Sequence, residues 1–382
     1  MKIADIRPHI VWTSQDRSWL FVEVETDTGM VGLGEASQSR NDKGVVEELN
    51  RLAPQYVGHD PCDLIESRQG LLDWPYSGRT FFAAVSALEQ ALWDLAGKQA
   101  RMPVYQLMGG SVRDQLRTYA NIGYAAAGRD AESLARVAMA AVAEGYDAIK
   151  FYPFGIRPVN CSSTDQRAWI SQGIDIVRAV RGAVGDSVDV LIDLMHQFQD
   201  YRDVLDIVRR VDPYHLYWVE DPFMHDDPVQ LSGLRQAMGP RLAGGAPLLA
   251  RHDWRSLLEA RAFDVIMPDV KWTGGINQVK KIAGMAEVYG AMVSPHSASG
   301  PVAAAASVHA GLSMSNFLIL EHPWGVPDWR SSLSRHTECI RHGYIPKPSA
   351  PGLGIELDLA IVAVYRTPAD TATASGVTLP VH

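Results

Sequence analysis

Cysteine is scarce in this 382-residue sequence, and its scarcity excludes a disulfide-stabilised scaffold. Cys62, Cys161 and Cys339 lie far apart and have neither CxxC nor Cys/His spacing. We therefore interpret them as reduced thiols of a cytoplasmic protein. The amino terminus has an early acidic residue, Asp5, and no apolar core, so it does not predict a signal peptide.

Long apolar runs are also missing, since no segment approaches the roughly 18 residues that a transmembrane helix needs. The net charge of −9 argues against binding to nucleic acid or anionic membranes, but it does not exclude an anionic substrate. No Gly-x-Gly-x-x-Gly motif follows a predicted strand, which disfavours a nucleotide-dependent oxidoreductase. We expect a protein that acts on small molecules, with no nucleic-acid and no membrane partner.

The order of the predicted elements changes near residue 118. Before it, strand-like segments between residues 11 and 35 precede helical segments such as 83–96, which is typical of an α+β unit. After it, short apolar strands alternate with amphipathic helices. From Asp193 onward the strand ends recur roughly every 25 residues, the length of one strand–helix unit in a barrel. With Thr118–Asn121 as the first strand, the count reaches eight.

These patterns predict the α/β class, with a (β/α)8-type barrel and an α+β capping domain. The chain is long enough for a barrel of roughly 250 residues and a smaller second unit. The predicted domains are the cap at 1–117, the barrel at 118–325 and a carboxyl-terminal segment at 326–382. That last segment is rich in proline and glycine, and we expect it to pack back on the cap.

Polar residues end almost all of the predicted barrel strands. Six of the seven strands after the first end in Lys150, Asp193, Glu220, Asp269, His296 and Glu321. In barrel enzymes, catalytic residues come from the carboxyl ends of several strands. A buried parallel sheet without a site would explain the apolar runs, but it explains six polar strand ends poorly. The pattern therefore favours an active site at this end of the barrel.

In their order along the chain, these residues resemble the enolase superfamily, on its mandelate-racemase and acid-sugar-dehydratase side. The resemblance covers almost the whole chain, including 87–98 and 107–110 in the cap and 351–358 near the end. It implies the same barrel and cap, and it implies a homo-oligomer. Members of this family abstract the proton α to a carboxylate, with Mg²⁺ beside a lysine or histidine base to stabilise the enediolate.

The resemblance implies that Asp193 and Glu220 are the first two ligands of Mg²⁺, which prefers such carboxylate oxygens. Each could instead cap the helix that follows its strand. Where the family has a third, acidic ligand, this chain reads Gly244-Gly245-Ala246, and a methyl group donates nothing to a metal. Mg²⁺ often makes do with one or two carboxylates plus water and substrate oxygens. Weakened binding and lost binding therefore both remain open.

The resemblance also assigns catalytic roles at four other strand ends. Asp269 and His296 match the Asp–His dyad in which histidine is the general base, although a purely structural pair is the alternative. Lys150 matches the lysine that polarises the substrate carboxylate. Glu321 matches the acid that hydrogen-bonds that carboxylate, a role in which we expect it to carry a proton. Tyr152 stands where racemases have their second lysine, and a phenol is a poor base at neutral pH.

Several further residues are candidates for the substrate pocket. His196 lies near the position where dehydratases often carry a histidine or asparagine, but it would leave the inward face if its strand continued. The predicted substrate-binding residues come from the cap and from the loop after Asp269, and ordinary exposed loop residues are the alternative for each; they are Arg17, Trp19, Tyr76, Arg79 and Trp272.

The resemblance and the replacement at Tyr152 together predict a hydro-lyase. Racemisation needs a base on each face of the substrate, whereas elimination of water can reuse a single histidine as base and acid. We therefore expect Mg²⁺-assisted dehydration of an acid sugar to a 2-keto-3-deoxy acid. The alternatives are a racemase, epimerase or cycloisomerase of a related carboxylate, and a catalytically silent carboxylate-binding protein whose metal site is dismantled at Ala246.

Overall fold

A computed structural model of the chain describes residues 1–14, 17–37, 41–73, 78–125, 128, 130–157, 162–223, 227–335 and 339–366. Among these residues, no helix has the length and apolar character that crossing a membrane requires. The described cysteines, Cys62 and Cys339, are free thiols, and Cys161 lies outside the described residues.

The amino-terminal cap is an antiparallel sheet covered by helices. Its strands pair in the order β1-β2-β3. The elements are β1 (Ile3–Trp12), β2 (Ser18–Thr26), β3 (Val31–Glu35), α1 (Asp42–Leu52), α2 (Pro61–Ser67), α3 (Arg79–Ala100) and α4 (Val104–Leu107). Strand β3 lies so close to α3 that a Cβ at Gly34 would meet the carbonyl oxygen of Ala87 at 1.8 Å. Glycine in this strand therefore allows the sheet to contact the long helix directly.

Eight parallel strands form the barrel, in the order β10-β9-β8-β7-β6-β5-β4-β11. They are β4 (Gln115–Asn121), β5 (Ala148–Phe151), β6 (Asp189–Asp193), β7 (Trp218–Glu220), β8 (Arg241–Gly244), β9 (Val265–Ile266), β10 (Met292–Val293) and β11 (Leu320–Pro323). A bridge between Val293 and Phe317, which precedes β11, closes the ring. All eight predicted strands are present, and the predicted fold class is confirmed.

Helices alternate with these strands: α5 (Ala131–Ala143), α6 (Ser163–Val184), α7 (Tyr201–Val211), α8 (Pro228–Ala237), α9 (Arg251–Glu259), α10 (Ile276–Val288) and α11 (Pro301–Leu312). Four of them begin after a polar residue whose side chain accepts a backbone hydrogen bond from the first turn; these residues are Asp130, Ser162, Asp200 and Asp227. Such caps satisfy donors that the helix itself leaves unpaired. They fix where each loop above a strand ends.

The carboxyl-terminal segment contains β12 (Ser334–Arg335), β13 (Tyr344–Pro346), β14 (Glu356–Leu357) and α12 (Leu359–Val364). It contacts both units of the chain. Strand β13 pairs antiparallel with the barrel strand β4. The Leu353 amide donates to Asp94 in α3 at 2.8 Å, and the Trp12 amide in β1 donates to the Tyr365 carbonyl at 2.8 Å. The predicted domain limits at 117 and 325 stay predictions.

Two buried carboxylates fasten the cap to the barrel. Glu35, at the end of β3, accepts hydrogen bonds from the amides of Gly300 (2.7 Å) and Ala303 (2.8 Å), where α11 begins. Glu89 in α3 accepts from the Ile276 amide at 2.7 Å, where α10 begins. Helix amino termini favour negative charge, yet burial still raises the pKa of Glu89 to about 7. These contacts hold the cap over the carboxyl ends of the strands.

Candidate active site

One buried lysine lies at the centre of the polar strand ends. The side-chain nitrogen of Lys150, at 1% exposure, is 2.6 Å from Glu220 Oε1 and 3.2 Å from Glu321 Oε1. It is 3.8 Å from Asp193 Oδ2. Parallel pairing of β6 with β7 sets Asp193 directly beside Glu220. The barrel therefore collects an ammonium group and three carboxylates at one point.

These charges control one another because water is excluded. Burial lowers the pKa of Lys150, but Glu220 and Glu321 raise it well above its ordinary value, so the ammonium stays charged. Burial raises the pKa of Glu321, and Lys150 and His296 more than compensate, holding that pKa at about 2. In the arrangement that the structure shows, Glu321 is therefore ionised because Lys150 lies next to it. Its protonation in contact with a substrate carboxylate stays a prediction. Burial raises the pKa of Glu220 well above its ordinary value.

The predicted dyad forms just beyond the neighbouring strands β9 and β10, since Asp269 and His296 each come three residues after the strand that was predicted to end with them. Nδ1 of His296 lies 2.6 Å from Oδ2 of Asp269, and its Nε2 lies 3.8 Å from Oε2 of Glu321. The imidazole ring stacks on Trp272 with 5.3 Å between centroids. Burial raises the pKa of Asp269, but Lys271 and His296 bring it down to about 2. An ionised Asp269 fixes the ring orientation and directs the other nitrogen toward Glu321.

Tyr152 joins the same group through a residue that the sequence analysis did not select. Asn121, at the end of β4, donates from Nδ2 to the Tyr152 hydroxyl at 2.7 Å and to Glu321 Oε1 at 2.7 Å. Burial raises the pKa of Tyr152 well above its ordinary value, so the phenol keeps its proton. The only sequence signal for Asn121 was its position at the end of the first predicted strand.

Three buried carboxylates form a compact acidic group beside Lys150. Oxygen atoms of Asp193, Glu220 and Asp221 all lie within 4.8 Å of one another. The sequence analysis missed Asp221, since successive side chains of a strand point to opposite faces. Here the strand ends at Glu220, and Asp221 has a left-handed backbone with φ 43°. A signal was available in Pro222, because a proline restricts the backbone of the residue before it.

His196 turns back toward this acidic group. Met195 and His196 both have left-handed backbones, with φ 54° and 55°, so the chain reverses immediately after β6. As a result, Nε2 of His196 lies 3.1 Å from Asp221 Oδ2, and Nδ1 lies 2.9 Å from the carbonyl oxygen of Phe223. The turn removes the alternative in which His196 faces away from the barrel mouth. Its participation in catalysis stays a prediction.

Arg79 and Trp272 come together beside the dyad. The Arg79 guanidinium lies 4.3 Å from the Trp272 ring centroid, and its Nη2 donates to the Pro247 carbonyl at 3.3 Å. Trp272 in turn stacks on His296. A residue of the cap therefore reaches the Asp269–His296 pair through one indole ring.

The other predicted substrate-binding residues are distributed differently. Arg17 lies over the Tyr124 ring at 5.6 Å, and Tyr124 hydrogen-bonds Tyr152, so Arg17 is at the barrel mouth. Trp19 belongs to β2 rather than to the loop before it, and at 4% exposure it packs against Trp329 with 5.6 Å between centroids. It belongs to a cluster of buried hydrophobic side chains that includes Phe21, and its contact with substrate stays a prediction. Tyr76 lies outside the described residues.

Comparison with known proteins identifies the family. Residues 133–361 match the enolase C-terminal domain-like family, and residues 4–109 match the N-terminal domain of mandelate racemase and muconate lactonizing enzyme. The chain belongs to the enolase superfamily. Among its curated relatives are a D-xylonate dehydratase from Haloferax volcanii, 32% identical (92% of this chain and 86% of that one), and a D-gluconate dehydratase from Thermoproteus tenax, 31% identical (95% and 74%).

Solved structures of this superfamily superpose closely on the chain. A mandelate racemase/muconate lactonizing enzyme from Sulfitobacter has a TM-score of 0.86 and 30% identity, covering 96% of this chain and 95% of its own. An enolase from Agrobacterium radiobacter, solved with sodium and L-malate bound, has a TM-score of 0.86 and 28% identity with the same coverage. The resemblance seen in the order of the strand ends is thereby confirmed.

Members of the enolase superfamily use a divalent metal, typically Mg²⁺. The donor set of this chain fits such an ion, because three buried carboxylates supply the hard oxygen ligands that Mg²⁺ prefers. Ala246 contributes none of them. At 6% exposure it packs among apolar barrel side chains that include Leu191 and Trp218. The acidic group is completed instead by Asp221.

Proposed function

We propose that this enolase-superfamily protein is a hydro-lyase that dehydrates an acid sugar to a 2-keto-3-deoxy acid. The observation that carries the proposal is the pairing of His296 with Asp269, together with a phenol that keeps its proton, Tyr152, where racemases have their second lysine base. One competent base suffices for elimination, whereas racemisation needs two. The names of the curated relatives, which are xylonate, gluconate and galactonate dehydratases, support the same substrate class.

The proposed reaction begins at Nε2 of His296, which takes the proton from the carbon α to the substrate carboxylate. The electron pair of that C–H bond moves into the carboxylate, and the charged Lys150 ammonium stabilises the resulting enediolate. The enediolate then expels the β-hydroxyl group, which leaves as water with the proton that His296 carries. The product enol becomes a ketone. Asp269 holds the imidazole ring in register through both proton transfers.

We infer that Asp193, Glu220 and Asp221 hold the metal ion of this site. When bound, Mg²⁺ would supply positive charge that stabilises the enediolate as the proton leaves. Asp221 thereby compensates for Ala246, whose side chain has no donor atom. On this assignment the ligand count stays at three although the position of one ligand has changed, which favours a working metal site over a dismantled, silent one.

The Asp221→Asn variant is expected to weaken Mg²⁺ binding by about tenfold or more, because a neutral amide replaces an anionic ligand. Isothermal titration calorimetry with Mg²⁺, and Mn²⁺ paramagnetic resonance, measure binding without any substrate. Asp114→Asn is the matched control, since Asp114 is exposed and pairs only with Lys347 among the contacts described. Unchanged Mg²⁺ affinity in Asp221→Asn would exclude Asp221 as a ligand.

Proton NMR in D₂O with Mg²⁺ and a pool of aldonic and aldaric acids tests the proposed function. We expect one substrate to lose its α-proton signal and to disappear with formation of a 2-keto-3-deoxy acid. Deuterium incorporation without net consumption would replace this proposal by a racemase or epimerase. Silence of both the natural chain and Ala246→Glu across the pool would favour a carboxylate-binding protein. The expected homo-oligomer stays a prediction, which light scattering from the purified protein would test.

A further inference from the structure

Asp269 has a second cationic partner that the proposed reaction does not use. Lys271 is fully buried, and its side-chain nitrogen lies 2.7 Å from Asp269 Oδ2, the same oxygen that contacts His296 Nδ1 at 2.6 Å. The Lys271 amide donates to the other oxygen, Oδ1, at 2.7 Å. One carboxylate oxygen therefore serves both an ammonium group and the imidazole of the candidate base.

The loop after β9 is built to hold Lys271 there. The amides of Trp272 and Thr273 both donate to the carbonyl oxygen of Asp269 at 3.0 Å, which folds the chain into a tight turn. The cap helix α3 also contacts this turn. Gln90 Nε2 donates to the Val270 carbonyl at 3.3 Å. These bonds hold the backbone on both sides of Lys271, so its ammonium group stays close to Asp269.

We propose that Lys271 is a positioning residue that sets the pH range in which His296 works as a base. An unshared Asp269 would strongly favour the protonated imidazole and so keep the base occupied at neutral pH. An ammonium group on the same oxygen opposes that protonation, because two positive charges this close repel each other. Asp269 can therefore orient the His296 ring, while Lys271 weakens the electrostatic stabilisation that Asp269 gives to the protonated imidazole.

The other charged groups around the dyad do not duplicate this effect. Glu321 lies 3.8 Å from Nε2 of His296, and as an anion it acts in the opposite sense to Lys271. Glu35 interacts with Lys271 electrostatically and is itself satisfied by the start of α11. Arg79 lies over the Trp272 ring at 4.3 Å and donates to the Pro247 carbonyl. In the part of the chain that the structure describes, Lys271 is the lysine whose ammonium group contacts the Asp269 carboxylate.

The test compares Lys271→Gln, which can still donate a hydrogen bond, with Lys271→Arg, which keeps the charge. In protein with ¹⁵N-labelled histidine, ring signals of His296 are followed against pH and assigned with His296→Asn. We expect the titration midpoint of His296 in Lys271→Gln to rise by about one to two pH units, and that of Lys271→Arg to stay near the natural value. Lys271→Met provides a second neutral variant if the glutamine variant does not fold.

A midpoint that is the same in the natural protein and in a folded neutral variant would overturn the proposal, as would an equal shift in Lys271→Arg. Only the accompanying rate measurement rests on the proposed function. There, the acid limb of the pH profile for α-proton exchange should move upward with the midpoint, since the base must be unprotonated to act. If the natural protein exchanges no α-proton, the dehydratase proposal fails, whereas the titration still decides the role of Lys271.

Discussion

Replacing His296 with asparagine is expected to lower the rate of α-proton exchange by about 10²–10⁴-fold, the usual contribution of a general base. The amide can still hydrogen-bond Asp269, but it cannot accept a proton at neutral pH. Substrate binding should change far less, because Lys150 and Glu321 remain at their strand ends. Exchange followed by proton NMR in D₂O, with the substrate found in the pooled screen, measures this loss directly.

The matched control for this variant is His252→Asn, on the outer helix α9, where His252 is exposed. It should exchange the α-proton at the natural rate. Circular dichroism and thermal unfolding check that both variants are folded. A folded His296→Asn protein with natural exchange would mean that another group takes the proton, and His196, the other histidine of the mouth, would then become the candidate base.

Replacing Lys150 with methionine is expected to have the largest effect on stability. The variant leaves Glu220 and Glu321 buried without their shared cation, and breaking a buried ion pair from one side costs about 3–5 kcal/mol. It should also abolish detectable α-proton exchange, because the substrate carboxylate loses the ammonium that accepts its developing charge. Chemical denaturation monitored by circular dichroism gives the change in the free energy of unfolding.

The pH dependence of this loss follows from Glu321. Its pKa of about 2 lies below the ordinary value of 4.5, so its pairing with Lys150 stabilises the natural fold above that ordinary value and is lost as the pH falls toward 2. The difference in stability between the natural protein and Lys150→Met should therefore be larger at pH 7 than at pH 4. A difference independent of pH would show that packing, rather than charge, is lost.

Lys281→Met is the control for the removal of a lysine. Lys281 is partly exposed and pairs with the exposed Glu66 at 2.6 Å, and surface pairs of this kind contribute roughly 0–1 kcal/mol. The control should unfold close to the natural midpoint and should retain natural exchange activity. If Lys281→Met lost as much free energy of unfolding as Lys150→Met, burial of the ion pair would not explain the effect at Lys150.

The strands and their polar ends could be predicted because the signals are local. A short apolar run that ends in a carboxylate, a lysine or a histidine is visible in a few residues. The repeat of that unit predicts that the ends meet at one rim. In this way the positions of Lys150, Asp193, Glu220 and Glu321 followed from the sequence, and the structure brings them into contact. The absence of a metal-ligand side chain at Ala246 could also be read directly from the sequence.

Tertiary structure alone decided which other side chains join these residues. Asp221 and His196 have left-handed backbones, which change the direction of their side chains relative to a continued strand. Neither residue is a glycine, the residue type that would have indicated such a turn in the sequence. Lys271 reaches Asp269 because a turn closes under the cap helix, a contact between segments far apart in the chain. Trp19 packs against Trp329, a contact between residues far apart in the chain. The sequence by itself determined the chemistry of the barrel rim, and three-dimensional packing determined how that chemistry is held and tuned.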